Sequence, residues 1–400
     1  MPDSATLTMA APRNRPASAT TFMPAQKLDI AAVPRGAWEA LCAAAIEPNV
    51  FFDPGFATPA ATLAAGGKGA DALVAYDTAN RGKMLGLLPV ISAWQAYKLP
   101  IPALVALQPY SPLSTPLLNA DHAIEAAGAL IDGAASAGAH LIVLPDMVLD
   151  GPAALAFSAA LAERGLVALT DNAHQRAAFD ATTMDVDDYF RAGMGAKRLK
   201  ELRRLRNRLA DDGEIALTVA ATPLAIAPAL QRFLALEARG WKGERGTGLG
   251  QTECDTAFIT AAARDLGARG AFQVAELTLN GATIAAGLVL RQGERAFFFK
   301  IAYDEELARF SPGVQLTLEL TKRLAANTAI ALVDSTAAAG HPMIDHVWRE
   351  RLSVGDLLIP TRPHDPAGPA LGKLIMARRH AREEAKRLVR FVKSIREKKS

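Results

Sequence analysis

Only two cysteines, Cys42 and Cys254, occur in 400 residues, and neither belongs to a Cys-x-x-Cys pair. That excludes a disulfide framework and a cysteine-ligated zinc site, and each thiol reads as a small buried apolar group. No apolar run reaches the length of about 18–20 residues that a membrane-spanning helix needs. Aromatic residues are 6% of the chain, and none interleave with the basic run Lys197 to Arg208, so a base-stacking surface is not expected. Gly-x-Ser-x-Gly, a Walker loop and an early Gly-x-Gly-x-x-Gly are all missing, which removes the commonest hydrolase, P-loop and Rossmann signals. His341 and His346 are five residues apart and off one helical face, so no zinc pair, and no metal, is expected. Residues 1–25 are rich in Ala, Thr, Ser and Pro around Arg13 and Arg15 and lack the apolar core of a secretory signal. They are expected to be a disordered leader, and the protein to be cytoplasmic.

What the chain does have is apolar mass, half of all residues, much of it alanine. That supplies a large core, favours helices, and at this length suggests two domains. The net charge of +3 is unevenly spread. Residues 371–400 carry eleven Lys/Arg against three Glu, a balance of +8, and 191–208 carry eight Lys/Arg against one Glu. The body between is mildly acidic.

Periodicity predicts helices at 37–45, 54–65, 123–137 and 153–164 and strands at 72–76, 84–92, 104–107, 140–144 and 166–169 in the first half. In the second it predicts a long helical stretch over 187–210, a strand at 215–219, helices at 226–238 and 255–266, and a meander over 272–279, 283–291 and 296–303 turning at Asn280-Gly281. A helix over 311–325, a strand at 330–333, a helix over 343–352 and a strand at 356–360 follow. The halves share an order, predicting an α/β fold of two tandem units, 26–178 and 179–360, with mixed, mainly antiparallel sheets flanked by helices. A Pro/Gly-rich linker, 361–370, leads to a basic amphipathic helix over 371–400, in which Leu374, Ala381, Ala385, Leu388, Val392 and Ile395 form a narrow apolar stripe. This helix is expected to lie apart from the body and to reach an anionic membrane surface.

The densest chemistry follows the apolar run Phe297-Phe298-Phe299. Lys300 and Tyr303 end that strand, and Ser311-Pro312-Gly313 opens the next helix. Ser311 suits a cap, Pro312 the first helical position and Gly313 a close backbone approach, so a phosphate fits there. An ordinary strand-to-helix turn fits as well. Asp334, His341 and Asp345 follow the next strand, where ligands often bind in α/β sheets. His341 is a candidate general base with a carboxylate to orient it; equally, Asp334 suits capping a turn and His341 preceding a helix. Lys300 flanks apolar surface, where it suits chemistry or snorkels to the sheet edge, and Trp241, Lys242 and Arg245 lie in the glycine-rich loop 240–250, which suits an acceptor or, equally, a plain surface loop with Trp241 plugging the core. The basic helix over 197–208 could meet phosphate or present a solvated face.

Leu236-Glu237, Gly240-Trp241-Lys242-Gly243, the Asn280-Gly281 hairpin, Lys300 to Asp304 with Ser311-Pro312-Gly313, Asp334-Ser335, and His341 to Asp345 with Trp348 and Arg351 together resemble the GNAT-type acetyltransferase domain. The branch is the CelD/BcsL-like one, associated with bacterial cellulose biosynthesis. The first half looks like a diverged copy, and Fem-type peptidyl transferases resemble the tandem arrangement. The resemblance implies acetyl-CoA or another acyl-CoA as co-substrate, with its pantetheine arm between splayed strands and its pyrophosphate at Arg309, Ser311, Gly313 and Val314. It implies direct transfer to an amine or hydroxyl acceptor, a small molecule or saccharide held by Trp241, Lys242 and Asp345. His341, Asp334, Tyr303 and Lys300 would carry the chemistry, Tyr303 by protonating the departing thiolate. The binding turn departs from the family form, having one glycine and a proline that removes a backbone donor. The alternatives are a Fem-like transferase using aminoacyl-tRNA and a non-catalytic scaffold bound to an exopolysaccharide machine.

Overall fold

Two parallel strand pairs, each adjoining an antiparallel meander, organise the molecule. The computed structural model describes residues 23–80, 82–183, 185–240, 246 and 248–397, without the side chains of 383 and 388–397. The first half contains β1 (Gln26–Asp29), α1 (Arg35–Ala44), α2 (Pro54–Thr62), β2 (Asp71–Tyr76), β3 (Met84–Ser92), α3 (Ala93–Tyr97), β4 (Ala103–Ala106), β5 (Leu117–Leu118), α4 (Ala123–Ser136), β6 (Leu141–Val148), α5 (Pro152–Glu163) and β7 (Leu169–Asp180). The second contains α6 (Val186–Met194), α7 (Ala196–Ala210), β8 (Ile215–Ala220), α8 (Pro223–Arg239), α9 (Glu253–Ala268), β9 (Phe272–Leu279), β10 (Ala282–Gln292), β11 (Arg295–Tyr303), α10 (Pro312–Ala325), β12 (Leu332–Asp334), α11 (Ile344–Val347) and β13 (Glu350–Pro360). The helix α12 (Ala367–Glu397) follows.

The strands form one sheet in the order β1-β2-β3-β4-β6-β13-β7-β12-β11-β10-β9-β8, with β5 added beside β3. Along that order every pair is antiparallel except β4 with β6 and β11 with β12. The two halves therefore repeat each other about the centre, but each gives its last strand away. β7 ends the first half and pairs with β12 of the second; β13 ends the second and pairs with β6 of the first. β7 and β13 then pair with one another from Glu350 opposite Ala178 to Leu358 opposite Leu169. The expected two sheets are thus joined into one by exchange.

Both faces of β11 are covered, which explains three consecutive phenylalanines. Phe297 and Phe299 meet Phe51 of the first half at ring distances of 5.3 and 5.5 Å. Phe298 faces the other way, against Trp348 at 6.0 Å. Phe56 extends the first cluster to Phe258 of α9 at 5.1 Å, so one core crosses between halves.

Several local expectations change. The stretch 187–210 is two helices, broken at Gly195, whose φ of 78° suits glycine. The helix expected over 343–352 stops at Val347, and β13 begins at Glu350. Trp348 is fixed by an Nε1–H bond to Thr321 Oγ1 (2.9 Å), while the Tyr189 hydroxyl donates to Glu350 Oε2 (2.5 Å) and accepts from the Arg349 N–H (2.7 Å). The strand expected at 166–169 is instead β7, whose polar first half lacks an apolar signature and is held by its pairing with β13. The leader expected over 1–25 lies outside the described residues up to 22, whereas Ala25 is buried and its N–H bonds Ala129 O.

Residues 371–400 are not wholly apart from the body. Ile375 is buried, and Arg379 pairs with the buried Asp171 (3.3 Å) and Asp356. Among the described residues, no helix is long and apolar enough to cross a membrane, and no group of His, Cys, Asp or Glu is placed to hold a metal ion.

Candidate active site at the β11–β12 opening

β11 and β12 pair only from Arg295 opposite Leu332 to Phe297 opposite Asp334. Beyond that they part. On the other side of β11, Leu288 faces Lys300 and Val289 faces Phe298, leaving Phe299 as the extra residue of a bulge. A bulge bends its own strand, and this one lies just past the point where the β11–β12 pairing ends. Thr336, at φ 51°, braces the opening. Its N–H donates to Asp334 Oδ1 (2.7 Å) and its hydroxyl to Phe298 O (2.8 Å).

The opening is a cavity of about 110 Å³ lined by Phe298, Lys300, Ser335, Thr336, Ala337 and His341, among others. Met343 also borders it, and borders a second cavity of about 440 Å³ whose walls include Met194, Arg198, Val314, Pro342 and His346. Met343 therefore stands between the opening and the cavity at the start of α10. α7 supports that helix start: Gln315 of α10 donates to Leu202 O of α7 (2.8 Å).

Asp334 does not orient His341. It is fully buried, and its Oδ2 lies 3.3 Å from Arg295 and 3.7 Å from Arg176. Arg295 also reaches Glu47 (3.2 Å) and Arg176 reaches Asp146 (3.6 Å). This chain of ions joins the halves beneath the opening. Burial pushes the Glu47 carboxyl up, with Arg295 opposing. Both oxygens of Asp334 are spent, one on the arginines and one on Thr336, so it is a brace.

His341 lines the cavity, but Nδ1 accepts from the N–H groups of Met343 and Ile344, both at 3.3 Å. A neutral ring held this way carries its proton on Nε2 and has no lone pair left for another. Base work at Nδ1 would break these two bonds. Lys300 lines the cavity with Nζ 5.5 Å from the Phe299 ring. Tyr303 borders a smaller recess with Glu237, Gly240, Ile301 and Glu305.

At the helix start, Ser311 has φ 54° and makes no side-chain cap, contrary to expectation. Gly313 is buried, and a Cβ there would meet Tyr303 Cδ1 at 3.2 Å. Its smallness admits Tyr303 of β11. Val314 is the residue of this turn that reaches the larger cavity, while Arg309 is exposed beside the Phe310 ring (4.8 Å). Asp345 sits in α11 with Oδ1 buried and without a hydrogen-bond partner, apart from the residues lining the opening. Trp241, Lys242 and Arg245 lie outside the described residues. Thr336, Ala337, Met343 and Arg198 were missed as site residues. Only the basic run containing Arg198 carried a signal in the sequence.

Paired meanders, each followed by a parallel strand, with a bulge and an opening beside the second parallel strand, make a tandem GNAT-like fold. Residues 196–341 match the family described as Acetyltransferase (GNAT) domain. The chain has the fold of the C-terminal domain of a candidate lysylphosphatidylglycerol synthetase from Agrobacterium fabrum, at 13% identity and TM-score 0.54, over 85% of this chain and 94% of that one. It is similarly like FemX, at 11% identity and TM-score 0.53, over 83% and 96%. A conserved protein of unknown function from Bacteroides thetaiotaomicron aligns at 15% identity and TM-score 0.53, over 82% and 97%. No protein with a curated description matches the chain.

Proposed function

We propose that the second half transfers an acyl group, acetyl in the simplest case, from acyl-CoA to an amine or hydroxyl acceptor. The observation that carries this is the opening beside the β11 bulge, with a second cavity at the start of α10 on the other side of Met343. The thioester arm would lie between the parted strands, and the phosphates near Val314 and Arg198. Backbone N–H groups near the bulge suit the developing oxyanion. The acceptor nitrogen or oxygen bonds to the carbonyl carbon, the carbon–sulfur bond breaks, the acceptor loses one proton and the departing thiolate gains one. Tyr303 is our choice of donor to the thiolate. A saccharide acceptor of cellulose or exopolysaccharide assembly is the specific case that the residue resemblance favours; Asp345, Trp241 and Lys242 remain our acceptor-side candidates.

A second reading is aminoacyl transfer from charged tRNA. It is supported by the exposed arginines of α7 beside the larger cavity and by the fold shared with FemX. A thermal-shift series with acetyl-CoA, longer acyl-CoAs and aminoacyl-tRNA tests the pair. Stabilisation by an acyl-CoA supports the first reading; stabilisation by aminoacyl-tRNA alone replaces it with the second; no response to either leaves a non-catalytic scaffold.

A further inference from the structure

We propose that the outer part of α12, with Trp94 and Lys98 of α3 and Leu374, docks on an anionic lipid bilayer. The helix has two parts. Up to His380 it is bound to the body by Ile375, by Arg379 between Asp171 and Asp356, and by Arg378, whose Nη1 donates to Tyr97 O of α3 (2.5 Å). From Ala381 to Arg387 every described side chain is exposed, so the helix has left the body. The remaining helix, 381–397, extends about 25 Å at 1.5 Å per residue and is rich in Lys and Arg.

Beside its anchored end the surface turns apolar. Trp94 is 55% exposed and Leu374 48% exposed. Lys98 stands 5.8 Å from the Trp94 ring, and Arg378 ties α3 to α12. Tryptophan with flanking cations is the composition of a membrane interface, where the ring sits at headgroup depth and the cations meet phosphate.

Three occupants could cover such a surface. A second copy would bring the same positive helix, and like charges would oppose it. A nucleic acid would answer the charge but leave Trp94 and Leu374 in water. An anionic bilayer answers both. The docking surface includes no residue of the opening or of the second cavity, so it stands whether or not acyl transfer does.

The test is sedimentation of the full chain with vesicles. Vesicles of phosphatidylcholine mixed with phosphatidylglycerol should carry it down at low salt, and phosphatidylcholine alone should not. Salt of about 0.5 M should release it. The triple change Arg382→Glu, Lys386→Glu, Arg387→Glu should lower partitioning at least about tenfold. Tryptophan emission should shift to the blue on binding, and Trp94→Phe should remove most of that shift. All three changed sites are exposed on a projecting helix, so unaltered melting of the triple variant separates lost docking from misfolding. A full chain that stays in the supernatant, equal binding by the triple variant, or retention on RNA without vesicle binding would each overturn the proposal.

Discussion

The seam between β4 and β6 is shut, whereas its counterpart between β11 and β12 is open. Both pairs run parallel for three residues and then lose their register. In the first half the chain itself fills the space. Asn49 Nδ2 donates to Leu113 O (3.2 Å) and Thr115 O (2.8 Å), the Ser114 hydroxyl donates to Pro145 O, and Arg176 donates to Pro112 O (2.9 Å). Leu113, Ser114 and Thr115 are wholly buried. In the second half a single 3-10 turn, Glu305–Phe310, carries β11 directly into α10, so no chain is left over to plug the gap. One architecture thus holds a plugged seam and an open one, and the length of connection after the strand decides between them.

The strongest challenge to this comparison is to break the ions that hold the seams together. Arg295→Ala would leave the buried Glu47 without its cation and Asp334 with Arg176 alone. Loss of a partner from a buried pair costs about 3–5 kcal/mol, so chemical denaturation should show a large fall in stability. An unchanged midpoint would mean that the halves are held by packing alone.

A second change would make the open seam resemble the shut one. Ala337→Phe places a ring in the 110 Å³ opening. Acetyl-CoA affinity should fall roughly 100-fold, equivalent to about 2.8 kcal/mol, while melting changes little because Ala337 is half-buried at the edge. Retained affinity would move the donor elsewhere.

A subtler test removes the brace but keeps the shape. Thr336→Val deletes the hydroxyl bonded to Phe298 O, a bond worth about 1 kcal/mol. Donor affinity should fall by about fivefold, and Thr336→Ser should restore it. If valine and serine behave alike, the hydroxyl is not what fixes the width of the opening.

The smallest effect expected is at the thiols. Burial pushes the Cys42 thiol far above its ordinary range, whereas Cys254, contrary to the expected burial, is exposed. Iodoacetamide should modify Cys254 in the native protein at least about ten times faster than Cys42. Cys254→Ser should leave turnover unchanged, as direct transfer requires. Loss of turnover in that variant would point to an acyl-enzyme.

Much of this was legible in the chain. The meanders, the Asn280-Gly281 turn and the helix start at Pro312 follow from periodicity and turn chemistry, which are local properties. The exchange of β7 and β13 was not, because a polar strand such as Leu169–Asp180 is defined by its partners. Asp334 illustrates the same limit at the site. Its position after a strand suggested chemistry, but Arg176, Arg295 and Thr336 claim its oxygens, and two of those come from other strands. Thr336 gave no signal, since a brace across a gap is visible only once the gap exists.

The central claim is that one chain holds one donor site, at the second seam. Calorimetric titration of acetyl-CoA into the full chain and into Ala337→Phe tests it most directly. One molecule should bind per chain, and binding should be abolished or weakened about 100-fold in the variant. Two molecules per chain, or equal affinity for both proteins, would contradict it.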